Sequence, residues 1–222
     1  MESTMRIIVF LRVSLLISIF VFTAQSANAE PQSQPEPVQQ SDGNILAVVL
    51  GQNVTRDDAM PNEKEQKEIK EQAKENYNDM LDYVVRVNAS TKIYELVLED
   101  YAAKKGIELN QALVTKFMEK FANQVSEKNS SKSIKEIAEK QVMQFQTEKA
   151  LFDEFGGKVI FRQSNPQMPI DAYKALLNRY RENNQLQIID SALEEAFWNV
   201  FTPPFQYEIA PENVDFTQPW WL

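Results

Sequence analysis

The chain has 222 residues, with 23 Lys+Arg against 32 Asp+Glu for a net charge of −9, and it contains neither His nor Cys. Their absence excludes the Ser-His-Asp and Cys-His arrangements, the usual zinc sites and any disulfide framework, and the acidic balance argues against nucleic acid, which is bound through a basic face. No G-x-G-x-x-G or G-x-x-x-x-G-K-[ST] pattern occurs, and Gly156-Gly157-Lys158 stands after a helix and before a strand, the wrong order for a phosphate loop.

In chain order, Met5 to Ala29 reads as a secretory signal. Arg6 gives a basic start, Val13 to Ala24 is an apolar run of about 12 residues, and Ala27-Asn28-Ala29 offers an A-x-A cleavage site. A spanning helix needs about 20 apolar residues, so the expectation is cleavage near Ala29, no mature membrane span and a periplasmic or secreted protein. Loss of Arg6, Arg12 and Glu2 with the signal leaves the mature chain at −10. Residues 30–43, rich in Pro, Gln and Ser, read as a disordered linker.

Ile45 to Leu50 is an aliphatic, partly β-branched strand, Gly51-Gln52-Asn53 a tight turn, and Thr55 or Asp57 a cap for a short helix that Pro61 stops. A lone strand leaves its backbone groups unpaired, and Lys158 to Arg162 is the partner expected for it, with a helical insert between. Asn62 to Lys105 carries neither Gly nor Pro, and Ile69, Ala73, Tyr77, Met80, Leu81, Val84 and Val87 recur at helical spacing. Asn88-Ala89-Ser90-Thr91 forms helix weakly, so a break is expected there, and Gly106 ends the segment. The alternating Glu and Lys of residues 63–75 read as a solvated face.

A third helix follows over about Asn110 to Glu127, with Val114, Phe117, Met118, Phe121, Ala122 and Val125 on one face. Ser133 and Glu136 make a capping box for a fourth, which buries Ile137, Ala138, Val142, Phe145 and Phe152 and stops at Gly156-Gly157. Val159 to Phe161 is the second strand. Pro169 opens a fifth helix that ends at Asn183-Asn184, and Asp190 or Ser191 caps a sixth that Pro203-Pro204 terminates. In the tail, Phe205, Tyr207 and Ile209 alternate like a strand, and Trp220-Trp221-Leu222 closes the chain. Aromatics this dense seek a surface, either the chain's own core or a partner.

The strand, the Gly-Gln-Asn turn, Val54-Thr55-Arg56-Asp57, and a long helix ending in Tyr101 to Leu109 (Tyr-Ala-Ala-Lys-Lys-Gly-Ile-Glu-Leu), followed by two helices and a return strand, resemble the N-terminal domain of SurA and of the related foldases PrsA and PpiD. The resemblance covers residues 45–162. It implies a mainly α fold, a SurA N-terminal-like helical domain over 44–163 whose small two- or three-stranded sheet pairs the segments near 45–50 and 158–162. Residues 164–202 are then C-terminal helices packing on that domain, and 203–222 the aromatic tail. Those foldases carry a prolyl-isomerase domain of about a hundred residues with a His-containing site. Here about 60 residues follow, with no His. The resemblance therefore implies peptide binding without isomerase activity.

The functional expectation is an exported, non-enzymatic chaperone-like protein for unfolded or extended polypeptide clients, with no cofactor, no metal and an oligomeric state left open. Tyr77, Met80, Val84, Phe117, Met118, Phe121, Trp220 and Trp221 are its candidate binding residues; Met adapts to varied partners, although each also suits a core. The alternative is a scaffold that docks one dedicated partner through the aromatic tail. An enzymatic alternative would rest on the adjacent carboxylates Asp57 and Asp58 or Glu194 and Glu195, which point about 100° apart on a helix.

Overall fold

The structure, a computed structural model, describes residues 44–122 and 133–222. The expected signal, the linker, Val125 and the loop up to residue 132 lie outside the described residues. Strands β1 (Ile45–Val49) and β2 (Gln52–Thr55) form an antiparallel hairpin through Leu50-Gly51. Both loop residues have positive φ, 53° and 77°, the pattern of a type I′ turn, whose twist suits a hairpin. Asn53, expected in the turn, is instead paired with Val48. Thr55 caps α1 (Arg56–Ala59) through reciprocal bonds with Asp58.

A second capping box, Asn62 with Glu65, starts α2 (Glu63–Ala73), none of whose residues is buried. The break in the long helical stretch falls at Lys74, φ 50°, and one 3₁₀ turn later α3 (Tyr77–Lys105) begins. The expected break at Asn88 to Thr91 is absent because each polar side chain there is satisfied in place. The Ser90 and Thr91 hydroxyls donate to the Arg86 and Val87 carbonyls, and the Asn88 amide donates to the carbonyl of Ala59. Ala89 and Ile93 are buried beside them, so packing outweighs weak propensity. Gly106, φ 63°, closes α3 in a Schellman arrangement, with Ile107 N–H donating to Ala102 O and Gly106 N–H to Ala103 O.

Helices α4 (Gln111–Phe121) and α5 (Ile134–Phe155) follow, then β3 (Val159–Arg162), β4 (Asn165–Met168), α6 (Ile170–Glu182), β5 (Leu186–Ile188), α7 (Ser191–Asn199) and β6 (Glu208–Ile209). The described chain is thus mainly helical, with two three-stranded antiparallel sheets ordered β2-β1-β5 and β4-β3-β6. The expected pairing of Ile45–Leu50 with Lys158–Arg162 is not formed. Each segment has a nearer partner, β2 across Leu50-Gly51 and β4 across Gln163-Ser164, and closing a short loop costs far less entropy than closing one of a hundred residues. The third strands, β5 and β6, have three and two residues.

The main core gathers Leu46, Ala47 and Val49 of β1, Val85 to Tyr101 on one face of α3, Leu151 of α5, Ile170 to Tyr180 of α6, and Leu193, Phe197 and Phe201. Tyr94 stacks on Phe197 with ring centroids 4.9 Å apart and meets Tyr173 edge-on at 6.3 Å. At its rim Glu154 accepts from the Arg179 guanidinium at 2.8 Å and the Tyr101 hydroxyl at 2.9 Å and pairs with Lys105 at 3.0 Å, tying α3, α5 and α6 together. A second, separate cluster holds Val114, Phe117, Ala138, Val142 and Trp221.

Candidate functional site

The second cluster is a cleft between α4 and α5, built by their amphipathic faces. Asn110 caps α4 by accepting from Ala112 and Leu113 N–H, and the Gln146 side chain of α5 clamps the entry by accepting from Asn110 N–H and donating to Glu108 O. Ser133 and Glu136 cap α5, as the sequence predicts. The resulting faces present Val114, Phe117, Met118 and Phe121 on one side and Ala138, Val142 and Phe145 on the other.

The tail fills this cleft. β6 adds to the edge of β3, pairing Ile209 with Val159 and Glu208 with Ile160. Beyond it the Gln167 side chain donates to Asp215 O at 2.9 Å and accepts from Asp215 N–H at 2.8 Å, and Phe216 rests on Phe152 at 4.8 Å. Trp221 then enters the cleft and is 1% exposed, edge-on to Phe117 at 5.2 Å and to Phe145 at 5.9 Å. Lys120 Nζ donates to the Trp221 carbonyl at 2.5 Å, while Trp220 lies outside against Phe121, 45% exposed. The buried Trp221 Nε1 has no hydrogen-bond partner among the described residues.

Under the tail is a small cavity of about 10 Å³, room for about one water molecule, with a mixed polar and aromatic lining that includes Gln144, Glu148, Asn165, Gln167, Phe216 and Trp221. Glu148 is its chemical centre. One oxygen, Oε1, accepts from the Asn165 amide at 2.6 Å, the Tyr173 hydroxyl at 2.7 Å and the Gln144 amide at 3.0 Å. Burial pushes its carboxyl up to about 7, against the pull of those three donors. The Tyr173 hydroxyl is pushed up as well, by burial and by the neighbouring carboxylate. A carboxyl in that range suits proton exchange near neutral pH, yet it is enclosed and three donors hold it in place.

Of the eight binding residues expected from sequence, five meet here: Phe117 and Trp221 buried, Met118 and Phe121 half-buried, Trp220 exposed. Tyr77, Met80 and Val84 do not join them. They lie on the first turns of α3, where Met80 is exposed with Tyr83 and Val87 beside it. The adjacent carboxylates have other duties or none: Asp58 is engaged in the α1 capping box, Asp57 accepts from the Asn44 amide, and Glu194 and Glu195 are exposed. Sequence reasoning missed Glu148 and its donors. Its signal was its position, since Phe145, Glu148 and Phe152 share one face of α5 at helical spacing. Among the described residues no group of three or more acidic, His or Cys side chains is placed to hold a metal ion, and no helix is long and apolar enough to cross a membrane. Comparison with family models, with curated proteins and with solved structures found no match to this chain.

Proposed function

We propose that the chain is an exported, non-enzymatic, chaperone-like protein of the periplasm that holds unfolded or extended segments of envelope proteins, serving outer-membrane biogenesis. The observation that supports this reading is the α4–α5 cleft, whose occupant is a stretch of chain without regular secondary structure that seats one indole between Phe117, Phe145 and Val142. An aromatic side chain of a client, carried on an irregular or turning backbone, meets the same requirements, and Lys120 offers it a donor for a main-chain carbonyl. Met118 and Phe121 at the cleft wall supply adaptable apolar surface.

The test is suppression of aggregation of several unrelated unfolded proteins, by the mature chain and by a version ending at Asn213. The expected result is suppression by both and more of it by the shortened form, whose cleft is open. A shortened form that is folded and suppresses nothing overturns the reading.

Exposure of part of the tail favours the second reading, a scaffold that docks one dedicated partner. Tyr207, Trp220 and Leu222 remain 59%, 45% and 49% exposed although Trp221 is buried. A pull-down from an envelope extract separates the two. Capture of one protein that is lost on Trp220→Ala supports the scaffold, and capture of many that survives it supports the chaperone. Prolyl-isomerase activity is not expected under either reading, and acceleration above background in a protease-coupled peptide assay would overturn that expectation.

A further inference from the structure

One face of α3 is left without a partner over its first turns. At about 100° per residue, Met80, Tyr83 and Val87 fall within about 60° of one another along two turns of helix. They are 39%, 50% and 40% exposed, on a helix whose opposite face, with Val85 and Ala89, is wholly buried. Farther along, the same face is covered, since Tyr94 stacks on Phe197 and Leu98 packs on the main core. Exposed apolar side chains scattered singly need no explanation, whereas three that neighbour one another on one helical face form a contiguous patch, the mark of an interface.

What the patch fits is set by the charges on its rim. Asp79 and Arg86 lie on the same flank of the strip, about 20° apart around the helix and about 10 Å apart along it. Neither forms an ion pair among the described residues, whereas Asp82, the next acidic residue toward the core, is taken by Arg56. The other flank over these turns is uncharged, with Tyr77, Val84 and Thr91. A two-fold axis that lays a second α3 antiparallel on the first keeps each flank on its own side and reverses the order along it. Asp79 then comes level with the partner's Arg86, and Arg86 with the partner's Asp79, when the axis passes midway between them, beside Tyr83. A parallel copy would set each charge beside its like. In the antiparallel register Tyr77, the first residue of α3, lies level with the partner's Asn88, so the contact uses the uncovered length of the helix and stops short of Tyr94.

We propose that this face of α3 pairs two copies of the chain, antiparallel about a two-fold axis beside Tyr83, with Met80, Tyr83 and Val87 as the apolar seam and two reciprocal Asp79–Arg86 ion pairs on one flank. The occupant is a second copy because one patch carries both halves of the complementary pair, at positions that two-fold repetition brings together. Each side offers about a dozen residues of one helix, against roughly 20–30 in a standard interface, so the association is weak and reversible, with Kd on the order of 100 µM. The seam shares no residue with the α4–α5 cleft or the tail.

The test is sedimentation equilibrium of the full mature chain from about 10 µM to about 1 mM in about 0.15 M salt, with circular dichroism to check that each variant is folded. The expected result is a monomer–dimer equilibrium in the parent. Asp79→Arg and Arg86→Asp are each expected to weaken it about tenfold, by setting like charges against each other twice, and the chain carrying both changes is expected to return to within about threefold of the parent. Asp79 is exposed, so Asp79→Arg decides alone where Arg86→Asp fails to fold. The chain has no cysteine, so Tyr83→Cys places a single thiol beside the axis. Mild oxidation is expected to link two copies through it faster than through Tyr207→Cys, on the exposed part of the tail. The proposal is overturned by a parent that stays monomeric at about 1 mM, near the weak limit of specific binding, or by a dimer that Asp79→Arg leaves unchanged. Equal linking through the two thiols also overturns it. So does a dimer lost when the chain ends at Asn213, which would place the contact in the tail.

Discussion

Glu148 carries a carboxyl into the interior with three donors on one oxygen, and the consequence is a pH dependence with a definite sign. Its proton is held up to about 7 in the folded protein by burial and leaves near 4.5 in the unfolded one, so the folded state binds the extra proton between those values. The contribution of this group to stability is therefore greatest below pH 4.5, falls as pH rises to about 7 and then levels off, a loss of about 3 kcal/mol. Glu99, pushed up to about 7 by burial and by Glu95, adds to the fall in the same window. Glu154 works the other way: the Arg179 guanidinium draws its carboxyl down to about 2, so its contribution is present above 4.5 and lost as pH falls toward 2. Glu148→Gln keeps an oxygen for Tyr173, Asn165 and Gln144 but never ionises. Urea unfolding at pH 5 and pH 8 is expected to show a smaller difference in the variant, with stability at pH 8 equal to or above that of the parent. A variant destabilised by more than about 2 kcal/mol at pH 8 would show that the charge itself holds the network together.

The junction between α2 and α3 shows how a helix ends without Gly or Pro. Lys74 adopts φ 50°, a conformation that costs an L-residue about 1 kcal/mol and glycine almost nothing. Lys74→Gly is expected to leave α3 intact and to raise stability by up to about 1 kcal/mol in thermal unfolding. A clear loss would mean that the Lys side chain contributes contacts of its own. The break was invisible in the sequence because residues 63–76 are all good or tolerable helix formers, and the weak patch at Asn88 to Thr91 is rescued by partners such as Ala59 O that only folding supplies. The helices and their caps at Thr55, Ser133 and Asp190 were legible, since caps and 3.6-residue spacing are local signals. The partners of the strands were not legible: β5 is too short to carry a period of its own, and the alternation of Phe205, Tyr207 and Ile209 marked a strand at β6 without saying which edge it joins. The same holds for the site: the apolar faces of α4 and α5 could be read from spacing, whereas the Glu148 network joins α5, β4 and α6 and needed the fold. Alternation along β1 also moves the sensitive position. Val48, in the middle of the aliphatic run, is half-buried, while Val49 is fully buried against the core. Val49→Asp is expected to cost several kcal/mol by burying an unpaired charge, and an unchanged melting temperature would contradict the assigned register.

Two hydrophobic clusters share one chain, and α5 belongs to both. Its C-terminal half, with Leu151 and Phe155, packs on the main core, while Ala138 and Val142 of its N-terminal half join α4 and Trp221 in the second cluster. That second cluster is small, and Trp221 is its largest buried side chain, contributed by a stretch tied down mainly by Gln167, Phe216 and Lys120. At about 25 cal/mol per Å² an indole of roughly 200 Å² offers several kcal/mol on burial, a large share of what a cluster of this size can supply. The unpartnered Nε1 offsets part of it, since a buried donor without an acceptor costs about 1–3 kcal/mol. Removal of Trp221 is therefore expected to loosen α4 and the first turns of α5 while the main core stays closed. In the chain carrying Trp221→Ala, amide exchange over Gln111–Phe121 is expected to rise on the order of a hundredfold, with β1 and α6 protected as before. Trp emission should move to longer wavelength at the same time, because the two remaining tryptophans, Trp198 and Trp220, are half-buried and exposed. Deleting Val214–Leu222 should reproduce the rise in exchange; it also removes the exposed Trp220, so emission then reports the half-buried Trp198 alone. If exchange rises equally in every element, the chain unfolds as one unit and Trp221 is an ordinary core residue. If neither exchange nor emission changes, the indole contributes nothing in solution and the tail is a free docking segment, which favours the scaffold reading.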